Sequence, residues 1–209
     1  MIDIAAAKGG TGSGVSSEVV WSEDGAATLG ALTTIAASAQ GLATPLVRDV
    51  ATLGGNLAQR SRCWYFRNPR IDCLKKAGSA CPARAGNQLH GTVFDLGPCV
   101  APHPSTIAAA LLACDARIVT RHRAGVTVAD LLGNGSDGHA DHALSEGEII
   151  TAVVPAPLAA ERAAYRRAIA RAAAKWPLVE VCARVRIDGG QFAFVRLAAG
   201  GVAPVRLRL

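Results

Sequence analysis

The sequence predicts an α+β fold, and three observations carry that prediction. Half of the 209 residues are hydrophobic, which is enough for a buried core. A helical period is clear from about Ser105 to Ala116, where Ile107, Ala108, Leu111, Leu112 and Asp115 recur near the 3.6-residue spacing. Two alternating segments, Val179–Ile187 and Gln191–Ala198, flank Asp188-Gly189-Gly190, which is a hairpin signal.

Taken in order, the chain opens with the short apolar stretch Met1-Ile2-Asp3-Ile4 and a flexible Gly/Ser/Thr segment, Gly9 to Gly14. Val19-Val20-Trp21 and Ala27 to Ala31 read as short strands around a turn at Asp24-Gly25. Thr33 to Leu42 reads as a helix, with Thr33 or Thr34 as N-cap and Gly41 near its stop. Residues 57–103 are rich in Cys, Gly, Pro and Arg and show no period, so they are expected to be loop ordered by something other than a core. Pro104 and Ser105 start the helix of 105–116. Arg117 to Val119 is predicted as a strand, and the acidic, Gly-rich loop 133–142 leads to another, Glu148 to Val154. Pro155 and Pro157 mark a boundary. Beyond it come Tyr165-Arg166-Arg167, a helical stretch through Ala174, and the hairpin. No internal repeat is present.

Composition narrows the function classes. The formal net charge is +6, mostly from Arg. The basic residues are scattered and form no long run, which argues against nucleic acid as partner and leaves flavin phosphates or an acidic subunit. The residues from Met1 to Lys8 show no basic segment followed by an apolar core, so no signal peptide is expected. No apolar run reaches the roughly 18 residues that a membrane span needs. Six cysteines without a secretion signal argue for metal chemistry over a disulfide framework.

Three constellations carry chemistry. In Ala51-Thr52-Leu53-Gly54-Gly55-Asn56, a glycine pair allows backbone N–H groups to approach a ligand, and Thr and Asn can bond phosphate or ribityl oxygens. Taken alone, the motif fits a glycine turn between two elements better. Cys63-x9-Cys73-x7-Cys81-x17-Cys99 supplies four thiolates, the complement of a cubane iron–sulfur cluster. The spacing lacks the tight CxxC pairs of structural zinc, which makes zinc the weaker alternative and four unrelated thiols the bland one. Arg60, Arg62, Arg67, Arg70, Lys75 and Lys76 would offset the thiolate charge, and the surrounding glycines and prolines permit an irregular wrap. Cys114 and Cys182 sit in apolar patterns and read as buried thiols. His103-Pro104-Ser105-Thr106 opens a helix, which suits either an anionic ligand edge or an ordinary cap.

Read together, these blocks resemble the FAD-binding (medium) subunit of the xanthine dehydrogenase, or molybdenum hydroxylase, family. The likeness runs from about Leu29 to Ala203 and includes Val47 to Leu57, Gln59 to Arg67 and Asp72 to Lys76. Cys81-Pro82-Ala83, Cys99-Val100-Ala101 and His103-Pro104-Ser105 follow, then Gly147 to Thr151, Trp176 to Val179 and Gly200 to Ala203. It is strongest toward the aldehyde oxidoreductase branch that adds a [4Fe–4S] cluster.

The resemblance implies a partial FAD-binding fold of the vanillyl-alcohol oxidase/PCMH type. Residues 1–155 would be its second FAD subdomain, with 57–103 as an iron–sulfur loop insertion. Residues 156–209 would be part of the C-terminal α+β domain. The family's pyrophosphate-cradling loop precedes a strand that resembles Met1 to Ile4, so the resemblance implies an N-terminally truncated form. Thr52, Gly54, Gly55 and Asn56 match the loop that holds FAD, and Leu42 a position lining it. Ile150 stands where an aliphatic side chain packs on the isoalloxazine, and Arg166 where a basic residue lies near it. Ser105 and Thr106 match the helix start at the cofactor, where the family usually has Asp in place of Thr106. Cys63, Cys73, Cys81 and Cys99 match the cluster ligands.

The implied activity is that of an oxidoreductase subunit, not active alone. Electrons would come from a large molybdenum-cofactor subunit through a small [2Fe–2S] subunit, forming a heterotrimer, and leave from FAD to an external acceptor. The alternative is a truncated iron–sulfur structural or relay module that no longer binds FAD. The implied compartment is the cytoplasm, or the periplasm by export with a signal-bearing partner.

Overall fold

The computed structural model describes residues 35, 38–156, 161–169 and 175–209. Its centre is the helix Thr106–Ala113, every residue of which is buried. A helix that is apolar all round belongs inside a protein rather than on its face. Three short helices precede it: α1 (Pro45–Val50), α2 (Leu53–Leu57) and α3 (Trp64–Arg67), so the buried helix is α4. After it come β1 (Arg117–Thr120), β2 (Val126–Thr127), α5 (Val128–Leu132), β3 (Ile150–Val154), β4 (Arg162–Ala168), β5 (Val179–Asp188), β6 (Gln191–Gly200) and β7 (Leu207–Arg208).

The strands form two antiparallel sheets, β2-β1-β3 and β4-β5-β6-β7. α4 packs on α2 and α5 and on β5, β6 and β7 of the larger sheet. One cluster of buried side chains runs through the molecule, from Leu57, Ile107 and Leu111 to Ile118, Leu131 and Val153, and on to Tyr165, Cys182 and Ala198. The mixed α and β architecture agrees with the sequence patterns.

Local chemistry sets the boundaries. Ser105 caps α4, its hydroxyl accepting from the Ala108 N–H at 3.2 Å. The helix ends three residues before the predicted Ala116, because Asp115 turns into the left-handed region at φ 50°. Its carboxylate there receives Arg184 at 3.1 Å, Arg208 at 2.7 Å and Arg196 as well. The hairpin pairs Asp188 with Gln191, leaving Gly189 and Gly190 as a two-residue loop with φ of 58° and 81°. Both positive values are what a primed turn needs, and glycine adopts them without strain.

Other boundaries moved. Glu148 lies in the turn before β3, where Arg123 (2.7 Å) and the Thr120 hydroxyl hold its carboxylate. Tyr165-Arg166-Arg167 lie in β4 and pair with Cys182, Val181 and Glu180. The segment expected as loop contains α3 and two single 3-10 turns, Leu74–Lys76 and Pro82–Arg84. Ile35 and Ser38 to Gln40 are helical and Gly41 begins a turn, as the Thr33–Leu42 prediction requires. The helix start, the two strands before it, the Gly9–Gly14 segment and the helical stretch at 170–174 lie outside the described residues.

Candidate functional site

Two cavities lie side by side, separated by two chain segments. The larger, of about 490 Å3, forms where α1, α2 and the start of α4 meet, with Lys175 and Trp176 across from them. Capping shapes its walls. Thr52 begins α2 by accepting from the Gly55 N–H at 3.0 Å, and Thr44 begins α1 through the Val47 N–H at 3.4 Å. The turn that brings Leu42 to the cavity includes Ala43 at φ 48°. Arg48 secures it with bonds to the carbonyls of Gln40, Leu42 and Ala43 at 3.1, 3.0 and 3.1 Å.

Asn56 is the best-defined polar group on this wall. The Ser105 hydroxyl already accepts from Ala108, so its hydrogen goes to the Asn56 Oδ1 at 2.6 Å. That bond orients the amide and leaves its two N–H donors for the cavity that Asn56 lines. The rim opposite is basic and aromatic. Arg62 lies over the Trp176 ring at 4.8 Å, and Lys175 stands beside it. Amide donors, cations and an apolar wall of Leu42, Val47 and Val50 suit a ligand with an apolar ring and oxygen acceptors or anionic groups.

The glycine pair serves the backbone more than a ligand. Gly55 spends its N–H on the Thr52 cap, and a Cβ there would lie 2.9 Å from the Thr52 hydroxyl. A Cβ on Gly54 would lie 3.3 Å from the Cβ of Ile150, so this glycine lets α2 press against β3. The motif thus serves as helix start and packing contact, while Thr52, Gly55 and Asn56 still face the cavity.

The smaller cavity is lined by Cys63, Cys73, Cys81 and Cys99 together. The rest of its wall includes Tyr65, Phe66, Leu74, Pro82 and Ala101, with no carboxylate or imidazole among them. All four cysteines are free thiols. Burial pushes the Cys99 thiol up; Cys81 and Cys63 beside it add to this, while the Ala101 N–H and Lys75 oppose it. Four thiols with no carboxylate beside them suit thiophilic metal centres rather than calcium or magnesium. Among the described residues, no three His, Cys, Asp or Glu side chains gather as they would around a single ion.

The basic residues of this segment act mainly as staples. Arg60 donates to the Lys75 carbonyl at 2.9 Å, Arg84 to the Pro98 carbonyl at 2.9 Å, and Lys76 to the Asn68 carbonyl at 2.7 Å. Asp141, from the acidic loop, accepts from Arg60 at 2.6 Å and Lys75 at 2.8 Å. Burial works to raise its carboxyl, but bonds to Lys75 and Arg60 outweigh this and hold it below the usual carboxylate range. Loop 133–142 therefore fastens the cysteine segment from outside, and His139 adds a 2.8 Å contact to the Leu74 carbonyl.

Both dividing segments are short. Gln59 and Arg62 line the larger cavity while Ser61 and Cys63 line the smaller. Consecutive Cα atoms are about 3.8 Å apart, so at Ser61-Arg62 the two linings are adjacent along the backbone. On the other side, Ala101 faces the thiols and Pro104 faces the larger cavity. His103 lies between them, 4% exposed. Its Nδ1 accepts from the Ser105 N–H at 3.3 Å, so a neutral ring carries its proton on Nε2. Burial first, then Arg206, brings its pKa down to about 3.

Known proteins resemble this chain in sequence and in fold. A family described as the FAD binding domain in molybdopterin dehydrogenase matches residues 11–157. The chain belongs to this family. The aldehyde oxidoreductase FAD-binding subunit PaoB of Escherichia coli (strain K12) is 37% identical over 164 residues, covering 75% of this chain and 50% of that protein. The chain thus spans about half the length of the curated relative it matches. The fold is shared with a carbon monoxide dehydrogenase from Hydrogenophaga pseudoflava, at TM-score 0.57, 22% identity and coverage of 87% of this chain and 48% of that one. Quinoline 2-oxidoreductase from Pseudomonas putida 86 gives TM-score 0.53 and 19% identity, covering 83% and 45%.

Of the residues expected in this FAD-binding domain, Leu42, Thr52, Gly55, Asn56 and Thr106 line the larger cavity. Gly54, Ser105 and Ile150 stand behind its wall: Gly54 against Ile150, and Ser105 buried against Asn56. Arg166 lies in β4, bonded to the Tyr165 carbonyl at 3.1 Å, and does not line it. Cys63, Cys73, Cys81 and Cys99 all line the smaller cavity. By its neighbours Arg62 belongs with the cations around the thiols, and no local pattern gives Trp176 a role in the cavity. Their stacking brings together residues 114 positions apart, and no local pattern encodes it.

Proposed function

We propose that the chain is the FAD- and [4Fe–4S]-carrying electron-transfer part of a molybdenum hydroxylase, similar to an aldehyde oxidoreductase or xanthine dehydrogenase. The observation that carries this reading is the pair of cavities whose linings share the segments 56–63 and 101–106. One has the donors for a flavin and the other has four convergent thiols. When bound, the flavin would exchange electrons in pairs or singly and the cluster singly, which is the chemistry of a relay.

The residues of the chain hold and insulate these groups. Asn56 would donate to an acceptor oxygen of FAD, with Arg62 and Lys175 meeting its anionic part and Leu42 its apolar part. A cluster is preferred to zinc because four thiols line one cavity and lack the tight CxxC pairs of structural zinc sites. Residues 57–103 are then the cluster-bearing insertion. Tyr65, Phe66 and Leu74 would keep water from it, and the Asp141–Lys75 staple would keep the thiols in place.

In this reading a large molybdenum-cofactor subunit and a small [2Fe–2S] subunit deliver electrons, and an external acceptor removes them. The compartment follows the partner: cytoplasmic, or periplasmic when a signal-bearing subunit exports the complex. Anaerobic purification with a visible spectrum tests the proposal. Flavin bands over a broad iron–sulfur absorbance are expected. Iron–sulfur absorbance with no flavin would instead mark a relay module without FAD, and a colourless zinc protein would overturn both.

A further inference from the structure

A buried ionic network reaches the larger cavity from behind. Arg206 is 7% exposed and Glu180 is fully buried. They meet at 2.7 Å, and the Tyr165 hydroxyl donates to the other Glu180 oxygen at 2.8 Å. Burial pushes the Glu180 carboxyl up, with Arg206 and the Tyr165 bond opposing. Gly200 faces the pair, and a Cβ there would strike both the guanidinium and the carboxylate. The larger sheet has therefore kept a position bare to accommodate these charges.

Stability alone does not account for such a pair. Burying two charges costs desolvation that their attraction barely offsets, and apolar residues of similar volume often do as well. What the pair grips is informative. Arg206 donates through Nε and Nη2 to the Ser105 carbonyl at 3.0 and 2.6 Å. Ser105 is the residue whose hydroxyl caps α4 and holds Asn56. Its N–H bonds His103, so its amide, carbonyl and side chain are all engaged.

We propose that Arg206, held by Glu180 and Tyr165, is a positioning residue for the cofactor cavity. It fixes the Ser105 peptide, Ser105 fixes the Asn56 amide, and Asn56 presents N–H donors to a phosphate, ribityl or ring-carbonyl oxygen. The proposal rests on the flavin reading above. It places Tyr165 of β4, Glu180 of β5 and Arg206 just before β7, none of which lines the cavity, in control of what the cavity binds.

The test is a titration of the purified full chain with FAD, followed by flavin fluorescence and paired with thermal melts. Arg206→Lys keeps the charge but loses the two-pronged grip on Ser105, and should weaken FAD binding by about tenfold or more. Leu131→Ala, a core truncation in α5, should lower the melting temperature without changing FAD affinity. Tyr165→Phe removes one hydroxyl and should weaken FAD by about threefold; it is decisive if Arg206→Lys does not fold. Affinity within about twofold of wild type in the folded Arg206 variant, or equal weakening by Leu131→Ala, overturns the positioning role alone. A wild-type chain that does not bind FAD overturns the flavin reading, and the proposal with it.

Discussion

The Ser105 hydroxyl donates to Asn56 at 2.6 Å while accepting from the first turn of α4. One side chain thus starts a helix and orients an amide on the wall of a cavity, which couples local stability to ligand recognition. Ser105→Ala removes both roles. It should cost about 1 kcal/mol of stability from the lost cap, and about fivefold in FAD affinity as Asn56 becomes free to turn. Urea unfolding and FAD titration of the same preparation check the two numbers together.

Asp141 links the acidic loop to the cysteine segment through Lys75 and Arg60. Asp141→Asn leaves the Lys75 ammonium, whose side chain is 8% exposed, without its counter-charge. A loss of about 3 kcal/mol is expected, the order found when a buried pair loses one partner. Iron retention should fall as well, because the staple beside Cys73 loosens. Denaturation midpoints and iron analysis test this, and a variant with wild-type values for both would refute it.

His103 stays neutral in the folded chain, with a pKa of about 3, against about 6.5 when unfolded. Between those values the unfolded chain binds a proton that the folded chain does not. Stability is therefore full above about pH 6.5 and falls as pH drops toward 3, by about 2 kcal/mol at pH 5. His103→Gln should remove this part of the pH dependence. Equal acid sensitivity in wild type and variant would show that other groups dominate.

Gly55→Ala would normally favour a helix by about 1 kcal/mol. Here the new Cβ would displace the Thr52 hydroxyl from its cap, at 2.9 Å. The expected outcome is a lower melting temperature, and a higher one would show that the cap can relocate.

The sequence made the framework legible where local physics decides. The Gly189-Gly190 turn, the α4 period and the four cysteines in their irregular wrap follow from residue type and spacing. What it concealed depends on residues far apart in the chain. Nothing near Asp115 announces that three arginines from β5, β6 and β7 will end α4 there. Thr52 to Asn56 fit a glycine turn by residue type and a FAD-holding loop by resemblance, and neither tells that Gly54 serves Ile150, almost a hundred positions away. Its neighbours group Arg62 with the cations around the thiols, although its side chain stacks on Trp176 at the other cavity. Such contacts are set by how α2, α4 and the sheets meet, which a single sequence does not display.

The central claim is that the four cysteines hold an iron–sulfur cluster beside a flavin, and metal stoichiometry tests it most directly. Iron, acid-labile sulfide and zinc are measured per chain in wild type and Cys73→Ser, both purified without oxygen. The account predicts about four iron and about four sulfide per wild-type chain, no zinc, and clearly less iron in the variant. Full iron content in Cys73→Ser, or about one zinc and no sulfide in wild type, would contradict it.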